Sequence, residues 1–374
     1  MTLPERCDVA IIGGGPAGSA LAALLARAGG TPVLLEKDRF PRAKVCGEFL
    51  SMEAQGLLRR IGCLEDIQKR APAPIERARF FSPSGRRVEL SLGPGALGLS
   101  RFSLDELLFR HAQNSGALAM EDVEVLKIVP DADGTTLVLS KARALRAALV
   151  IAAGGRRLAP PAAKSAPLFV GLKRRHRFAP GAEAADLDGC VEIHLFNGGY
   201  CGVNTVEDGA VNVCLLAGER WLASRPSPRW DSLAAEMGRL SPSLGRRLRS
   251  LSPDGNPLAA ARISLDAAGA ASGPLLRVGD AAGMIAPLCG DGQAMALDSA
   301  ILLADLMSRT DRIALPSAWA AAWRRRYSSR LRVGRALQSL LLKPPAAETA
   351  LAACALWPAL PRLLLAATRG KKVV

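Results

Sequence analysis

The sequence predicts an α/β protein with a Rossmann-like domain, an antiparallel-sheet domain and a C-terminal helical region. The first domain follows from residues 8–36, which read as a strand, a glycine-rich turn, a helix and a second strand. The second follows from four runs between residues 168 and 216, which alternate and turn like antiparallel strands. The third follows from apolar, helix-forming sequence that begins near Ser317 and is interrupted at Pro344 and Pro345.

Residues 8–36 carry the strongest local signal. Val9–Ile12 is an apolar run typical of a buried parallel strand, and Gly13, Gly15 and Gly18 follow it at GxGxxG spacing. Gly13 permits a tight turn, Gly15 lets the backbone approach a diphosphate, and Gly18 lets the helix pack closely on the strand. The helix, from about Pro16 to Ala28, would direct its positive N-terminal end at the phosphates.

The second strand of this unit ends in an acid. Glu36 can accept hydrogen bonds from ribose hydroxyls and would repel a 2′-phosphate, so FAD or NAD fits here and NADP does not. A ligand-free unit is disfavoured, because strand, glycines, helix, strand and acid all occur in register. We therefore expect cofactor contacts from Gly13, Gly15, Pro16, Ala17, Gly18, Glu36 and Lys37.

Composition narrows the class of partner. The 374 residues allow two domains and a large core, and 49% hydrophobic with 22% charged residues is typical of a globular protein. The net charge of +15 favours an acidic carrier protein or an anionic membrane surface, although solvated arginines explain it equally well. Aromatic residues make up 4% of the chain, and no basic and aromatic platform is present, which argues against nucleic acid.

The eight cysteines include no CxxC pair, and with three histidines they do not indicate a metal site. Reduced thiols, the short segment before the first strand and the lack of an uncharged 18-residue run lead us to expect a cytoplasmic protein. Contact with a membrane stays open, because the apolar C-terminal helices are flanked by RRRYSSRLR and GKK. Packing against the nucleotide-binding domain is the alternative for these helices.

The remaining segments suggest how the domains are divided. Residues 77–92 read as a hairpin around SPSG, and Ser103 followed by Glu106 predicts a helix start. Further strands are predicted at 123–129 and 135–140, joined by DADG, and at 149–152, before a crossover at 156–166. Residues 258–264 are expected to return to the first domain. We predict a nucleotide-binding domain at 1–75, 98–160 and 258–315, a substrate domain at 76–97 and 161–257, and a helical region at 316–374.

A second motif lies far downstream, at Arg277–Ala300. Its strand, Gly279-Asp280 pair, proline turn and following helix resemble the distal flavin motif of the glutathione-reductase-like FAD superfamily. The resemblance implies that Asp280 hydrogen-bonds ribityl hydroxyls and that the helix directs its positive end at the flavin pyrimidine edge. Gly279, Asp280, Gly290 and Gly292 therefore join the expected FAD contacts.

Three further segments resemble the geranylgeranyl reductase family of that superfamily. SRFSLDELL resembles its arginine and aspartate motif, which places Arg101 near the cofactor and Asp105 in a structural role. KVCGEFLS resembles its cysteine-glycine segment, which places Cys46 beside the isoalloxazine. GGYCGVNTVEDGAVNVCLL resembles the strand pair that lines its substrate cavity. The resemblance extends from Asp8 to about Leu342 and implies the architecture shared with aromatic hydroxylases and flavin-dependent halogenases.

This chain departs from those groups at three places. The hydroxylases have an Asp-Gly pair where this chain has Ala153-Gly154-Gly155, which puts their mode of NADPH contact in doubt. The reductases usually have a tryptophan and a proline where this chain has Gly202 and Thr205, so a different pocket shape is expected. No WxWxIP segment occurs, so halogenation is not expected.

The resemblance implies an FAD-dependent oxidoreductase that exchanges hydride between flavin N5 and a bulky lipophilic substrate of isoprenoid, polyketide or acyl type. The alternative is a monooxygenase that hydroxylates through a flavin C4a-hydroperoxide, because the flavin carries the chemistry in both cases. A non-catalytic lipid carrier is a minor alternative, disfavoured because the nucleotide-binding residues are all present. No second GxGxxG unit follows, so NAD(P)H would bind transiently or a protein would donate the electrons.

Cys46 is the candidate catalytic residue. Like Cys289, it lies in a loop that the resemblance brings toward the flavin. A thiol there can shape substrate binding, protonate an intermediate or form a disulfide. A role as a small apolar packing residue is the alternative for both cysteines.

Overall fold

The computed structural model describes residues 2–131, 134–161, 163, 166–182, 186–265, 269–357 and 359–369. The strands are β1 (Arg6–Ile12), β2 (Val33–Leu35), β3 (Phe49–Leu50), β4 (Ala73–Phe81), β5 (Arg87–Gly98), β6 (Leu118–Met120), β7 (Val125–Asp131), β8 (Gly134–Leu139), β9 (Arg143–Ala152), β10 (Leu168–Phe178), β11 (Cys190–Phe196), β12 (Gly199–Thr205), β13 (Val211–Gly218), β14 (Leu251–Pro253), β15 (Leu258–Ser264), β16 (Ala271–Ser272) and β17 (Leu275–Arg277). The helices are α1 (Pro16–Arg27), α2 (Met52–Ile61), α3 (Leu64–Gln68), α4 (Arg101–Asn114), α5 (Glu219–Ala223), α6 (Trp230–Leu240), α7 (Pro242–Arg249), α8 (Gly292–Met307), α9 (Leu315–Leu341), α10 (Pro344–Leu356) and α11 (Ala359–Thr368).

The first sheet has a parallel centre in the order β17-β9-β1-β2-β6. Its apolar strand residues, such as Ile11, Leu34 and Ile151, are fully buried because both faces of the sheet are covered. Helices α1, α4 and α8 pack together on one side, and the β7-β8 hairpin continues antiparallel from β9. The carboxyl ends of β1, β2, β9 and β17 meet at one edge, where open α/β sheets bind ligands.

The second sheet has the order β14-β10-β13-β12-β11-β4-β5-β3 and is antiparallel except between β11 and β4. Side chains alternate across it, as expected for strands with two covered faces. Cys201 and Val203 pack with Trp230 of α6 in one apolar cluster, whereas Tyr200 belongs to the large cluster shared with the first sheet. The inner face of the second sheet is therefore turned toward the first sheet. These two sheets and the C-terminal helices confirm the predicted fold class.

The start of α4 differs from the prediction. Ser103 was expected to cap the helix, but Ser100 is the N-cap, and its side chain accepts a hydrogen bond from the Ser103 N–H at 3.1 Å. The Ser100 N–H donates to Glu207 at 2.8 Å, and the Arg101 N–H donates to Glu48 at 2.8 Å. Two distant carboxylates thus satisfy N–H groups at the start of the helix, one turn earlier than the local sequence pattern predicts.

Residues 258–264 are the second correction. They form the predicted strand, β15, but it pairs antiparallel with β10 of the second sheet rather than returning to the first. The predicted strand at 149–152 is the end of the longer β9, which begins at Arg143. The proposed domain boundaries stay a prediction.

The C-terminal region confirms the predicted break in the helices. α9 ends at Leu341, and α10 begins at Pro344, where proline is tolerated in the first turn. In the described part of the chain, no single helix is long and apolar enough to cross a bilayer. Part of the predicted DADG turn and of the 156–166 crossover, together with Pro358 and the basic end from Gly370, lies outside the described residues.

Candidate active site

The glycine turn after β1 is too tightly packed to accept side chains at two of its three glycines. Gly13 has φ +110°, and a Cβ there would lie 2.7 Å from the Gly154 backbone. A Cβ at Gly18 would lie 2.0 Å from the Gly13 carbonyl oxygen. At Gly15, by contrast, the nearest atom would be Arg101 Nη2 at 3.7 Å. The turn therefore leaves open space in front of Gly15, where a diphosphate was predicted.

The two sequence motifs meet at the start of α1. Gly15 is the N-cap and supplies no side-chain hydrogen bond, and Pro16 occupies the first turn. The N–H groups of this turn thus have no side-chain cap and remain available to an anion. A Cβ at Gly279 would lie 3.0 Å from Ala17 Cβ, so the 3₁₀ turn Gly279–Ala281 packs directly against this helix.

Asp280 lies in that 3₁₀ turn, after the carboxyl end of β17. Its side chain is half-buried, and it makes no hydrogen bond or ion pair with any residue described in the structure. Burial raises the pKa of Asp280, while the nearby cations Arg101 and Lys44 oppose the rise. A polar group in such a position needs a partner, and the hydroxyls of a ligand would supply one.

Ion pairs connect Glu36 to Arg101. Glu36 accepts a hydrogen bond from the Gly14 N–H at 2.8 Å and lies 3.3 Å from Arg42. Arg42 also donates to buried Asp105 at 2.6 Å, and Arg101 makes two hydrogen bonds to Asp105, at 2.5 and 2.7 Å. Burial alone would raise the pKa of Asp105, but Arg101 and Arg42 hold it below its usual range. Asp105 thus has the structural role that the resemblance implied, and Arg101 is fixed beside Gly15.

Lys44 lies among these guanidinium groups and has no ion-pair partner within the described part of the chain. Burial and repulsion from Arg42 and Arg101 lower the pKa of Lys44 to about 8. A diphosphate beside Gly15 would relieve this repulsion. The open glycine, the uncapped helix, the unpaired lysine and the unpaired Asp280 together fit FAD.

Cys46 lies in the loop between β2 and β3 and is held from two other elements. Its sulfur is 3.3 Å from the Glu48 N–H nitrogen and 3.4 Å from Gln293 Nε2 on α8. Its carbonyl oxygen accepts a hydrogen bond from Asn212 Nδ2 on β13 at 3.2 Å. Asn212 Oδ1 and Gln293 Oε1 are both buried and have no partner in the described structure. Two acceptors therefore lie unused beside Cys46.

Glu48 joins this loop to both sheets. Its carboxylate forms a buried ion pair with Lys173 of β10 and accepts the hydrogen bond from the Arg101 N–H. Lys173 and Glu48 are 6% and 3% exposed, so the pair is shielded from water. This contact fixes the Cys46 loop relative to the second sheet.

The second sheet presents a mostly apolar face to the same loop. Phe80 and Ile193 lie on it, together with Tyr200, whose hydroxyl makes no hydrogen bond with a described residue. A Cβ at Gly202 would meet nothing nearer than Ile193 Cδ1, at 3.7 Å. A methyl group at position 202 would therefore make only ordinary contacts, and the glycine gives this part of the face no bulky side chain.

The start of α8 lies close to β3. Gly290 has φ +67°, and a Cβ there would lie 3.1 Å from the Phe49 ring. Gly292 is the first helical residue, and Asp291 is its N-cap. Asp291 accepts a hydrogen bond from Ser51 at 2.8 Å and pairs with Arg330 of α9. Burial raises the pKa of Asp291 to about 6, although Arg330 opposes the shift.

The structure connects Lys37 and Cys289 less directly to this site. Lys37 is partly exposed and pairs with its neighbour Asp38. Cys289 is buried, and burial raises the pKa of its thiol to about 12. All eight cysteines, including Cys46, are free thiols.

Sequence reasoning missed several polar residues of the site. Arg42 and Lys44 stand in the turn segment FPRAKVCG, where two cations close to a predicted nucleotide turn are a usable signal. Gln293 follows Gly292 directly and could have been included with that motif. Lys173 and Asn212 have no such signal, because only the sheet pairing brings them to the Cys46 loop.

Comparison with known proteins agrees with this geometry. The family model described as FAD binding domain matches residues 6–168. A menaquinone reductase from Mycolicibacterium smegmatis is 29% identical over 360 residues, covering 91% of this chain and 85% of that protein. A flavin-dependent halogenase from Armillaria mellea is 35% identical over 132 residues, only 34% of this chain and 25% of the halogenase.

This chain is an FAD-dependent oxidoreductase. Its fold is shared with a geranylgeranyl bacteriochlorophyll reductase-like protein from Thermoplasma acidophilum, at a TM-score of 0.73 and 20% identity over 90% of this chain and 88% of that one. At this identity the likeness concerns the fold of the flavoenzyme and not its substrate.

Proposed function

We propose that this flavoenzyme reduces a bulky lipophilic substrate of isoprenoid, polyketide or acyl type by hydride exchange at flavin N5. The observation that carries the proposal is the apolar inner face of the second sheet, which meets the Cys46 loop and has no bulky side chain at Gly202. Burial of apolar area is the main source of affinity for a ligand without charged groups. The relative named menaquinone reductase, which is matched over 85% of its length, supports reduction.

The chain has residues suited to each part of FAD. Gly15, the first turn of α1, Arg101 and Lys44 would hold the diphosphate, because they combine open space with positive charge. Glu36 would accept hydrogen bonds from the ribose, and Asp280 from the ribityl chain. The start of α8 would lie at the pyrimidine edge. When bound, FAD supplies a carrier of two electrons with hydride transfer at N5.

The protein residues would bind the substrate, exclude water and manage the proton. Reduction of a double bond adds a hydride to one atom and a proton to the other, so the site needs a proton source as well as the flavin. The Cys46 thiol, held by Glu48 and Gln293, is the proposed donor. The electrons would come from NAD(P)H bound transiently or from a protein donor, since no second nucleotide fingerprint follows the first.

Product mass tests the proposal. The purified holoenzyme is reduced without oxygen by NAD(P)H or by light, then mixed with menaquinone or with a geranylgeranyl compound, and the product is analysed by mass spectrometry. A product heavier by two hydrogen atoms supports the reductase. A product that forms only with oxygen and carries one atom from ¹⁸O₂ overturns it in favour of the monooxygenase. Failure to bind FAD at all would overturn both.

A further inference from the structure

The last two helices carry an unusual outer surface. Leu356, Trp357 and Leu363 are 86%, 57% and 58% exposed, and they fall within eight consecutive residues. Between residues 349 and 369 the sequence contains no aspartate or glutamate, and Arg362 is an exposed cation among the apolar residues. Large apolar side chains exposed so close together in the chain indicate an interaction site.

The opposite side of the same helices is packed into the protein. Ala347 and Leu351 of α10 and Pro361 of α11 are buried. Leu365 packs against the apolar cluster on the second sheet, which includes Phe80 and Ile193. The exposed apolar residues are therefore presented by helices with a defined seat, and that seat lies over the proposed substrate pocket.

Neither α10 nor α11 is long enough to cross a bilayer alone, and both can lie flat on its surface. They have 13 and 10 residues, which correspond to lengths of about 20 and 15 Å. The hydrocarbon core of a bilayer is about 30 Å thick, so neither helix crosses it alone. The pair bends by 117°, so the two helices do not form one straight span either. A helix that lies flat on a membrane binds by burying apolar side chains in the interface.

The charge of the protein selects among membrane surfaces. The chain carries a formal net charge of +15, and the exposed cations Lys343 and Arg362 flank or interrupt the apolar surface. Glu348, the acid nearest to it in sequence, is occupied by the Ser84 N–H at 2.8 Å. Lysine and arginine near the surface each favour an anionic leaflet.

We propose that α10 and α11 dock the enzyme on an anionic membrane, with Leu356, Trp357 and Leu363 inserted among the lipids. The opposite side of the same helices covers the apolar face of the second sheet, so a lipophilic substrate would pass from the bilayer to the pocket beside them. That last consequence rests on the proposed function, whereas the docking itself does not.

Vesicle flotation of the holoenzyme tests the docking. The protein is mixed at low salt with phosphatidylcholine vesicles, with or without phosphatidylglycerol, and the floated fraction is measured. Binding is expected with phosphatidylglycerol and should weaken as salt increases, because the cations are exposed. Quenching of Trp357 fluorescence by brominated acyl chains should accompany it.

A triple variant, Leu356→Ser, Trp357→Ser and Leu363→Ser, should lower vesicle affinity by at least about tenfold, since three apolar side chains no longer enter the bilayer. Ile313→Ser is the matched control, because Ile313 is 94% exposed elsewhere on the surface and should leave binding unchanged. Both variants should retain flavin and turn over detergent-dispersed substrate like the parent, which separates docking from catalysis. The proposal is overturned if the parent does not float, if the triple variant floats equally well, or if the parent is instead a dimer that the triple variant dissociates.

Discussion

The two sheets each contain a cluster of buried charges, and the clusters differ in how completely they are paired. In the second sheet, Glu192 contacts Arg79 at 3.2 Å, Arg247 at 2.9 and 3.0 Å, and His194 at 3.2 Å. The other ring nitrogen of His194 contacts Ser243 at 3.0 Å. Burial alone would raise the pKa of Glu192, but His194 and Arg247 hold it at about 2. This cluster is complete without a ligand.

The cluster at the edge of the first sheet is incomplete. Glu36, Arg42, Asp105 and Arg101 pair with one another, but Lys44 and Asp280 have neither a hydrogen bond nor an ion pair to a described residue. Half-buried charges without a partner lower stability, so a folded chain retains them where a ligand supplies the missing partner. The charges of the second-sheet cluster find all their partners within the protein, as in a structural ion network. The cluster of the first sheet lacks partners for two charges, as in a binding site.

The largest expected effect comes from breaking the complete cluster. Glu192→Gln leaves Arg79, Arg247 and His194 without their shared carboxylate and should lower the free energy of unfolding by about 3–5 kcal/mol. Urea denaturation measures this, and the FAD dissociation constant should stay unchanged. Asp231→Asn, which removes an exposed partner of Arg174, should cost less than about 1 kcal/mol. A weaker effect of Glu192→Gln than of Asp231→Asn would contradict the structural role.

Two glycines of the first site separate folding from binding. Gly15 has φ −77°, which alanine also adopts, and no atom lies close to the position of an added Cβ. Gly15→Ala should therefore keep the stability of the fold, while its methyl group enters the space predicted for the diphosphate. A steric cost of about 1–3 kcal/mol corresponds to FAD affinity lower by about five- to 150-fold. Gly18→Ala should instead destabilise the fold, because its Cβ would contact the Gly13 carbonyl. If a folded Gly15→Ala protein binds FAD as tightly as the parent, the diphosphate does not bind beside Gly15.

The unpaired lysine predicts a pH dependence. The pKa of Lys44 is about 8 against a usual 10.5, so between these values the unfolded chain holds the proton more tightly and stability of the apoprotein rises with pH. The diphosphate favours the charged form, so FAD affinity should fall as the pH rises above 8, by up to about tenfold per pH unit. Lys44→Met should bind more weakly with a flat profile, and exposed Lys69→Met should keep the parental slope. If FAD affinity depends on pH equally in the parent and in Lys44→Met, Lys44 does not contact the diphosphate.

The smallest expected effect concerns the loop between the clusters. Cys46→Ser should lower kcat by about five- to tenfold and leave FAD affinity unchanged, because the thiol is proposed to donate the proton and not to hold the cofactor. Cys7→Ser is the control, since Cys7 lies at the start of β1, away from the loop. If Cys46→Ser turns over substrate as fast as the parent, Cys46 is a packing residue and not the proton donor.

The fold and half of the site could be predicted because their signals are local. Gly13, Gly15, Gly18 and the Gly279-Asp280 pair each follow a buried strand, and the chemistry of the turn requires those residue types. Ser100 and Ser103 show the limit, since both suit a helix start and the carboxylates of Glu207 and Glu48, which bond the first N–H groups, come from distant parts of the chain.

The rest of the site depends on tertiary contacts. Lys173 reads as one member of a basic run, KRRHR, and nothing in the sequence indicates that it is buried against Glu48. Gln293 and Asn212 belong to the site because they hydrogen-bond Cys46. Local sequence patterns do not specify the path of the loop that brings Cys46 to them.

The Lys173–Glu48 pair also acts as a mechanical link. Glu48 is bonded at once to a strand of the second sheet, to the first N–H of α4 and, through its own N–H, to the sulfur of Cys46. A displacement of β10 would pass through Glu48 to the Cys46 loop and to the helix that carries Arg101. Under the proposed function, filling the substrate side would then shift Arg101, whose guanidinium lies beside Gly15.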